Sequence, residues 1–226
     1  RTVYMTDDGT NTMMTRFVAD REDDLTSGQL YIARFEQISS ENGGEFTISW
    51  IDLGHTSDEE MRDHIESGIT FSDIFEYEDL DSNSECSPGF TSINQNSFGP
   101  ECLRLRENME IVASRLETRR YGAMLGGTTE FSKMEGFTFD EKRQKAYVSL
   151  SSIRYGMEDF ERKGHADASH DLGGQNHVRL EYNKCGCVFA FSMDDSYEAT
   201  GASALICGNT HFGTHFNKCD PNGISN

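Results

Sequence analysis

The chain has 226 residues and a mass of 25.4 kDa, with 35% hydrophobic and 26% charged residues, enough to bury a sizeable core. Its formal charge of −19, from 39 acidic against 20 basic residues, argues against a nucleic-acid partner and leaves many oxygen ligands for hard cations. No run approaches the roughly 18 apolar residues of a membrane-crossing helix, so no membrane span is expected.

The chain enters a strand directly after Arg1, which reads as a fragment of a longer protein. TVYM, TRFVA, LYIARF and EFTISWIDL are apolar or alternating runs. DDGTN, DREDDLTSGQ and SSENGG separate them with the Gly, Asn, Asp and Ser residues that reverse a chain. Together they predict a four-stranded antiparallel meander over about residues 1–54. An insertion over about 55–130 follows, in which DEEMRDHIESG predicts a short helix over 58–67, capped by Ser57 or Asp58 and stopped at Gly68. FSDIFEYEDL adds a further turn. Residues 79–108, with Pro88 and Pro100, read as an irregular excursion, and NMEIVASRLET returns to helical spacing.

MEGFTFD, KAYVSLSSI, GCVFAFSMD and SALICG predict a second four-stranded meander over about 131–208, with a tail over 209–226. DEKRQ closes its first hairpin, and a Gly-, His- and Asp-rich insertion over 156–178 separates its second and third strands. Period-two alternation in the hairpin places Phe137, Phe139, Tyr147 and Val148 in a core between sheets. The chain is therefore expected to be mainly β: two four-stranded antiparallel blades of a larger β-propeller, with short helices in the insertions. Two blades cannot close a ring, so further blades would lie outside this chain, and a compact β-sandwich is the alternative.

Six cysteines, an even number, suggest disulfides in an oxidising compartment, with reduced thiols as the alternative. Cys86 and Cys102 bracket the apolar-poor excursion and are expected to bond, while Cys219 should pair with a cysteine between 185 and 207. Cys185 and Cys187 stand too close along an extended strand to bond each other easily. The spacing of the last four, with His211 and His215, fits no zinc pattern.

The most informative stretch is KMEGFTFDEKRQKAYVSL. Lys133 and Glu135 are two apart, so they share a face if the strand begins that early. At the entrance of an innermost propeller strand, the carboxylate could hold a metal and the ammonium an anionic substrate. The plainer reading is an edge ion pair worth under about 1 kcal/mol. Ser149, Ser151 and Ser152 read as strand surface, and no Ser or Thr stands out as a covalent nucleophile.

LETRRYGAMLGGTTEFSKMEGFTFDEKRQKAYVSLSSIRYGMED, then YNKCGCVFAFSMD, ALICG and CDPNGISN, resembles the PhoX-type alkaline phosphatase family; VYMTDD, GQLYIARF and WIDLGH fit the same pattern. The resemblance implies a six-bladed propeller and a secreted or periplasmic metal-dependent phosphomonoesterase with iron and calcium at its axis. It implies that Glu135 is a metal ligand, that Lys133 lies beside the phosphate, and that Asp7 and Asp8 form an acidic pair suited to a hard cation. Lys133 departs from the pattern wherever Arg is usual, offering a point charge in place of a bidentate fork. The family's cysteine iron ligand falls upstream of Arg1 and its Pro-Asp-Asn segment falls after Asn226, so this sequence carries only part of such a site.

Two other functions fit these residues. One is a non-catalytic propeller subunit that docks other proteins in an extracellular or organellar-lumen assembly. The other is a calcium-dependent lactonase-like propeller, suggested by DPNGI, with Glu135 and Asn222 as ligands.

Overall fold

A computed structural model describes residues 1–95, 99–210 and 219–225, without the side chains of 209, 210 and 220–225. His211 and His215 lie outside the described residues. The fold is mainly β, and its largest element is a curled antiparallel sheet compatible with part of a propeller.

The first four predicted runs are strands: β1 (Thr2–Met5), β2 (Thr15–Arg21), β3 (Asp24–Ser39) and β4 (Glu45–Ser57). They pair in sequence order, β1-β2-β3-β4. Helix α1 (Asp58–Glu66) begins as its sequence predicts, because the Ser57 hydroxyl accepts from the Glu60 backbone N–H while the Glu60 carboxylate accepts from the Ser57 N–H. A short helix α2 (Phe71–Ile74) leads into β5 (Phe75–Glu78).

The expectation of an irregular excursion over 79–108 is corrected here. β6 (Thr91–Asn94) and β7 (Pro100–Leu105) join β5 in a three-stranded sheet ordered β5-β7-β6. The Cys86–Cys102 disulfide ties the loop to β7, and buried Ile93 and Leu103 give the small sheet an apolar face. Pro100 is no obstacle because it begins a strand, where a ladder N–H is dispensable. Helices α3 (Glu110–Leu116) and α4 (Thr118–Met124) follow.

The second group comprises β8 (Met134–Asp140), β9 (Lys145–Leu150), β12 (Cys187–Met193) and β13 (Ala199–Thr210). Between β9 and β12 the insertion carries the small hairpin β10 (Glu161–Arg162) and β11 (His165–Ala166), and β14 (Cys219–Ser225) pairs with β13. The expected Cys219 partner is Cys185, and Cys187 bonds Cys207 on the adjacent strand. Gly186, between two bonded cysteines, has φ +67, and a Cβ there would stand 1.9 Å from the Leu150 carbonyl oxygen. Only glycine permits that approach.

Spacing could not show how the two groups join. β4 and β13 pair through Gly201–Thr47, Ala202–Phe46 and Ser203–Glu45, making one sheet ordered β1-β2-β3-β4-β13-β12-β9-β8. The sheet curls until its two end strands meet, with the Tyr4 and Phe137 rings stacked 5.6 Å apart and Thr12 exchanging backbone hydrogen bonds with Phe131. Successive residues of β3 face opposite sides. Ala33 and Phe35 enter a core inside the curl with Phe46, Phe131, Val148 and Phe191, while Leu30 and Ile32 enter a second core with Leu53, Phe75, Leu103 and Val112.

The hairpin prediction fails for its phenylalanines. Val148 is buried and Tyr147 half-buried, but Phe137 and Phe139 are 38% and 39% exposed. β8 is an end strand, so its rings have no sheet above them and lean on Tyr4 and Tyr197 instead.

Candidate functional site

The curl brings the loop after β1 against the start of β8. The Lys133 N–H donates to the Gly9 carbonyl at 2.9 Å, and the Ser151 N–H donates to the Lys133 carbonyl at 3.1 Å. Lys133 therefore precedes the strand and takes φ +62, a conformation unusual for a residue with a side chain. A register irregularity follows between Met134 and Gly136, at Glu135. Strand alternation is thus not what unites the pair; the turn and the bulge aim both side chains to one side.

Lys133 Nζ lies 2.5 Å from Asp8 Oδ1 and 3.3 Å from Glu135 Oε1, so two predicted carboxylates flank the predicted cation. Asp8 and then Glu135 hold the ammonium pKa above its ordinary value. The Ser151 hydroxyl donates to Glu135 Oε1 at 2.7 Å. Asp7 turns away to pair with Arg119. Sequence reasoning paired Lys133 with Glu135 but missed Asp8 as its nearer partner and Ser151 as the donor that orients Glu135. No spacing rule links residues 8, 133 and 151; only the curl does.

The carboxylates present do not by themselves make a calcium or iron centre. Calcium takes six to eight oxygen ligands. Here two carboxylates are already shared by an ammonium, and the described residues hold no group of three or more His, Cys, Asp or Glu able to bind a metal. Asn222 lies on β14, but its side chain is outside what the structure describes.

The insertion between β9 and β12 buttresses the acidic loop. The His170 carbonyl accepts from the amides of Asn11, at 3.4 Å, and Asn94. Beside it Asp171 Oδ2 accepts from the Phe160 N–H at 2.6 Å. Burial, with Asp159 and Glu158 nearby, pushes the Asp171 carboxyl from 3.8 up to about 7. A carboxyl raised on folding contributes stability that is present at low pH and lost as pH rises through the folded value. Unfolding free energy is therefore expected to decline between about pH 4 and 7 through this group, and Asp171→Asn to flatten that part of the profile. Urea titrations at pH 5 and 8 measure it; the same difference in both proteins would exclude Asp171 as the cause.

No family model matches this chain, and no curated protein matches it. Among solved structures it is similar to Pseudomonas fluorescens PhoX in complex with vanadate, a transition state analogue, with a TM-score of 0.51 and 18% identity. The match covers 94% of this chain and 30% of that one. A likeness at this identity concerns the fold: this chain has a PhoX-like architecture and spans under a third of the length of that protein. Three disulfides, Cys86–Cys102, Cys185–Cys219 and Cys187–Cys207, are compatible with an oxidising compartment. None of the described helices is long and apolar enough to cross a membrane.

Proposed function

We propose that this chain forms part of a metal-dependent phosphomonoesterase of the PhoX type, acting in a secreted, periplasmic or organellar-lumen setting. The observation that carries the reading is the PhoX-like fold over 94% of the chain, in a neighbour solved with a transition state analogue. The cluster of Lys133, Asp8 and Glu135 supports it, since these residues meet where the two ends of the curled sheet come together.

In this reading Lys133 orients a phosphoryl oxygen. An ammonium has three N–H donors, and Asp8 and Glu135 account for two, which leaves one for substrate. The same carboxylates keep it protonated, so the charge is in place before phosphate arrives and strengthens as the transferring group develops charge. Two carboxylates against one ammonium leave the cluster net negative. Stable binding of a phosphate dianion therefore requires cationic groups beyond this cluster, and the reading assigns calcium and iron to a site that residues outside this chain complete.

A second reading, a non-catalytic propeller subunit, is favoured by one observation: no three potential metal ligands cluster among the described residues. Release of phosphate from a chromogenic phosphomonoester by the full natural protein, with and without chelator, distinguishes the two. The phosphatase reading expects turnover that chelator abolishes. No turnover in metal-supplemented buffer would favour the subunit, and lactone hydrolysis without phosphate release would favour the lactonase-like alternative.

A further inference from the structure

On the other side of the sheet, away from the curl, α3 and α4 enclose a feature that the phosphatase reading does not use. Arg115 is half-buried and donates to the Gly28 carbonyl at 3.1 Å, the Gly54 carbonyl at 2.9 Å and the Ser114 hydroxyl at 2.7 Å. These acceptors are all neutral. Arg119 pairs with Asp7, and Arg120 with Glu101 and Glu117, but Arg115 forms no ion pair with a carboxylate among the described residues. Burial lowers its pKa, opposed only by Asp52. Asp52 acts on it only through charge and makes no direct ion pair, so a half-buried guanidinium is left with neutral acceptors, and an anionic ligand in direct contact would add a favourable partner.

Arg115 also stands where two cavities meet. One, of about 320 Å³, is lined by Arg115, Arg119 and Arg120 with Thr118 and Gln95, and by Glu117, whose carboxylate is paired with Arg120. The other, of about 480 Å³, is walled by Val3, Phe17, Leu25, Leu30, Met61 and Leu116. Arg115, Leu116 and Thr118 line both. The one acid on the apolar side, Asp58, opens α1 at the exposed rim. An apolar groove of this size ending at one cation and a few hydroxyls has the build of a small-ligand site.

We propose that this junction binds an amphipathic monoanion, a medium-chain alkyl carboxylate, with its head on Arg115 and its tail along Phe17, Leu30 and Met61. A guanidinium with no direct carboxylate partner matches one negative charge; Nη2 gives both its hydrogens to Gly28 and Gly54, so a carboxylate oxygen would accept from Nε–H or from the remaining Nη1–H. A dianionic head would meet the strong negative charge of the whole chain, and of the three arginines at the junction only Arg115 lacks a direct ion pair among the described residues. The site stands apart from the phosphatase reading, because binding is measured without turnover.

Isothermal titration calorimetry of the full chain with decanoate and with 1-decanol tests it. Decanoate is expected to bind at least about tenfold more tightly than the alcohol, which carries the same tail without the charge. Arg115→Gln should remove that preference. Because this change also loosens the ties to Gly28 and Gly54, a second variant is placed at the rim: Leu25→Asp, at a residue 58% exposed, leaves the core untouched and should weaken decanoate binding at least about tenfold. Equal affinity for decanoate and 1-decanol, no measurable decanoate binding, or unchanged affinity in Leu25→Asp would overturn the assignment.

Discussion

Lys133→Gln in the full natural protein is expected to lower kcat/KM for a phosphomonoester about 100-fold, the usual scale for losing one charge-stabilising donor at a reacting centre. The substitution shortens the side chain by one atom but keeps it linear and polar, while removing the ammonium that Asp8 and Glu135 hold. Stability should barely change, because solvent-screened surface ion pairs contribute little. A companion variant adds a signature that a structural role would not give. Asp8 is the larger cause of the raised Lys133 pKa, so Asp8→Asn should bring it down and move the alkaline limb of the pH–rate profile to lower pH. Full activity in Lys133→Gln, measured by steady-state phosphate release, would reduce the cluster to a surface ion pair.

Phe35→Ala is expected to have the largest effect on stability, about 3–5 kcal/mol by urea denaturation. Phe35 is 1% exposed, and its ring meets Phe131 at 4.7 Å, Phe46 at 5.8 Å and Phe191 at 6.2 Å, all edge-on. Those rings come from β4, from the segment before β8 and from β12, so this single side chain fastens the first group of strands to the second. Phe137→Ala is the internal control. Its ring is 38% exposed on an end strand, and its loss should cost well under that amount. Equal losses at the two positions would mean that the strand groups are not held together around Phe35.

Much of the fold was legible before any coordinates. Apolar alternation and turn residues located the strands of both groups because each signal is local: side chains two apart share a face, and Gly, Asn and Asp reverse a chain. The start of α1 and the Cys86–Cys102 bond were equally local, resting on a choice of Ser57 or Asp58 as cap, which the structure resolves to Ser57, and on two cysteines bracketing a short loop. Spacing also put Lys133 beside Glu135, but the turn at Lys133 and the irregularity at Glu135, not strand alternation, bring the two side chains to one side.

Tertiary structure alone decided what those local pieces face. The β4–β13 pairing joins residues 45–47 to 201–203, and no periodicity specifies which edge meets which. That join creates the curl, and the curl sets the rest. It carries Asp8 to Lys133, diverts Asp7 to Arg119 and leaves Phe137 and Phe139 on an uncovered end strand although their alternation reads as core. Alternation shows that one side of a strand is apolar, but burial requires a second layer, and whether that layer exists depends on pairings between residues far apart in the chain.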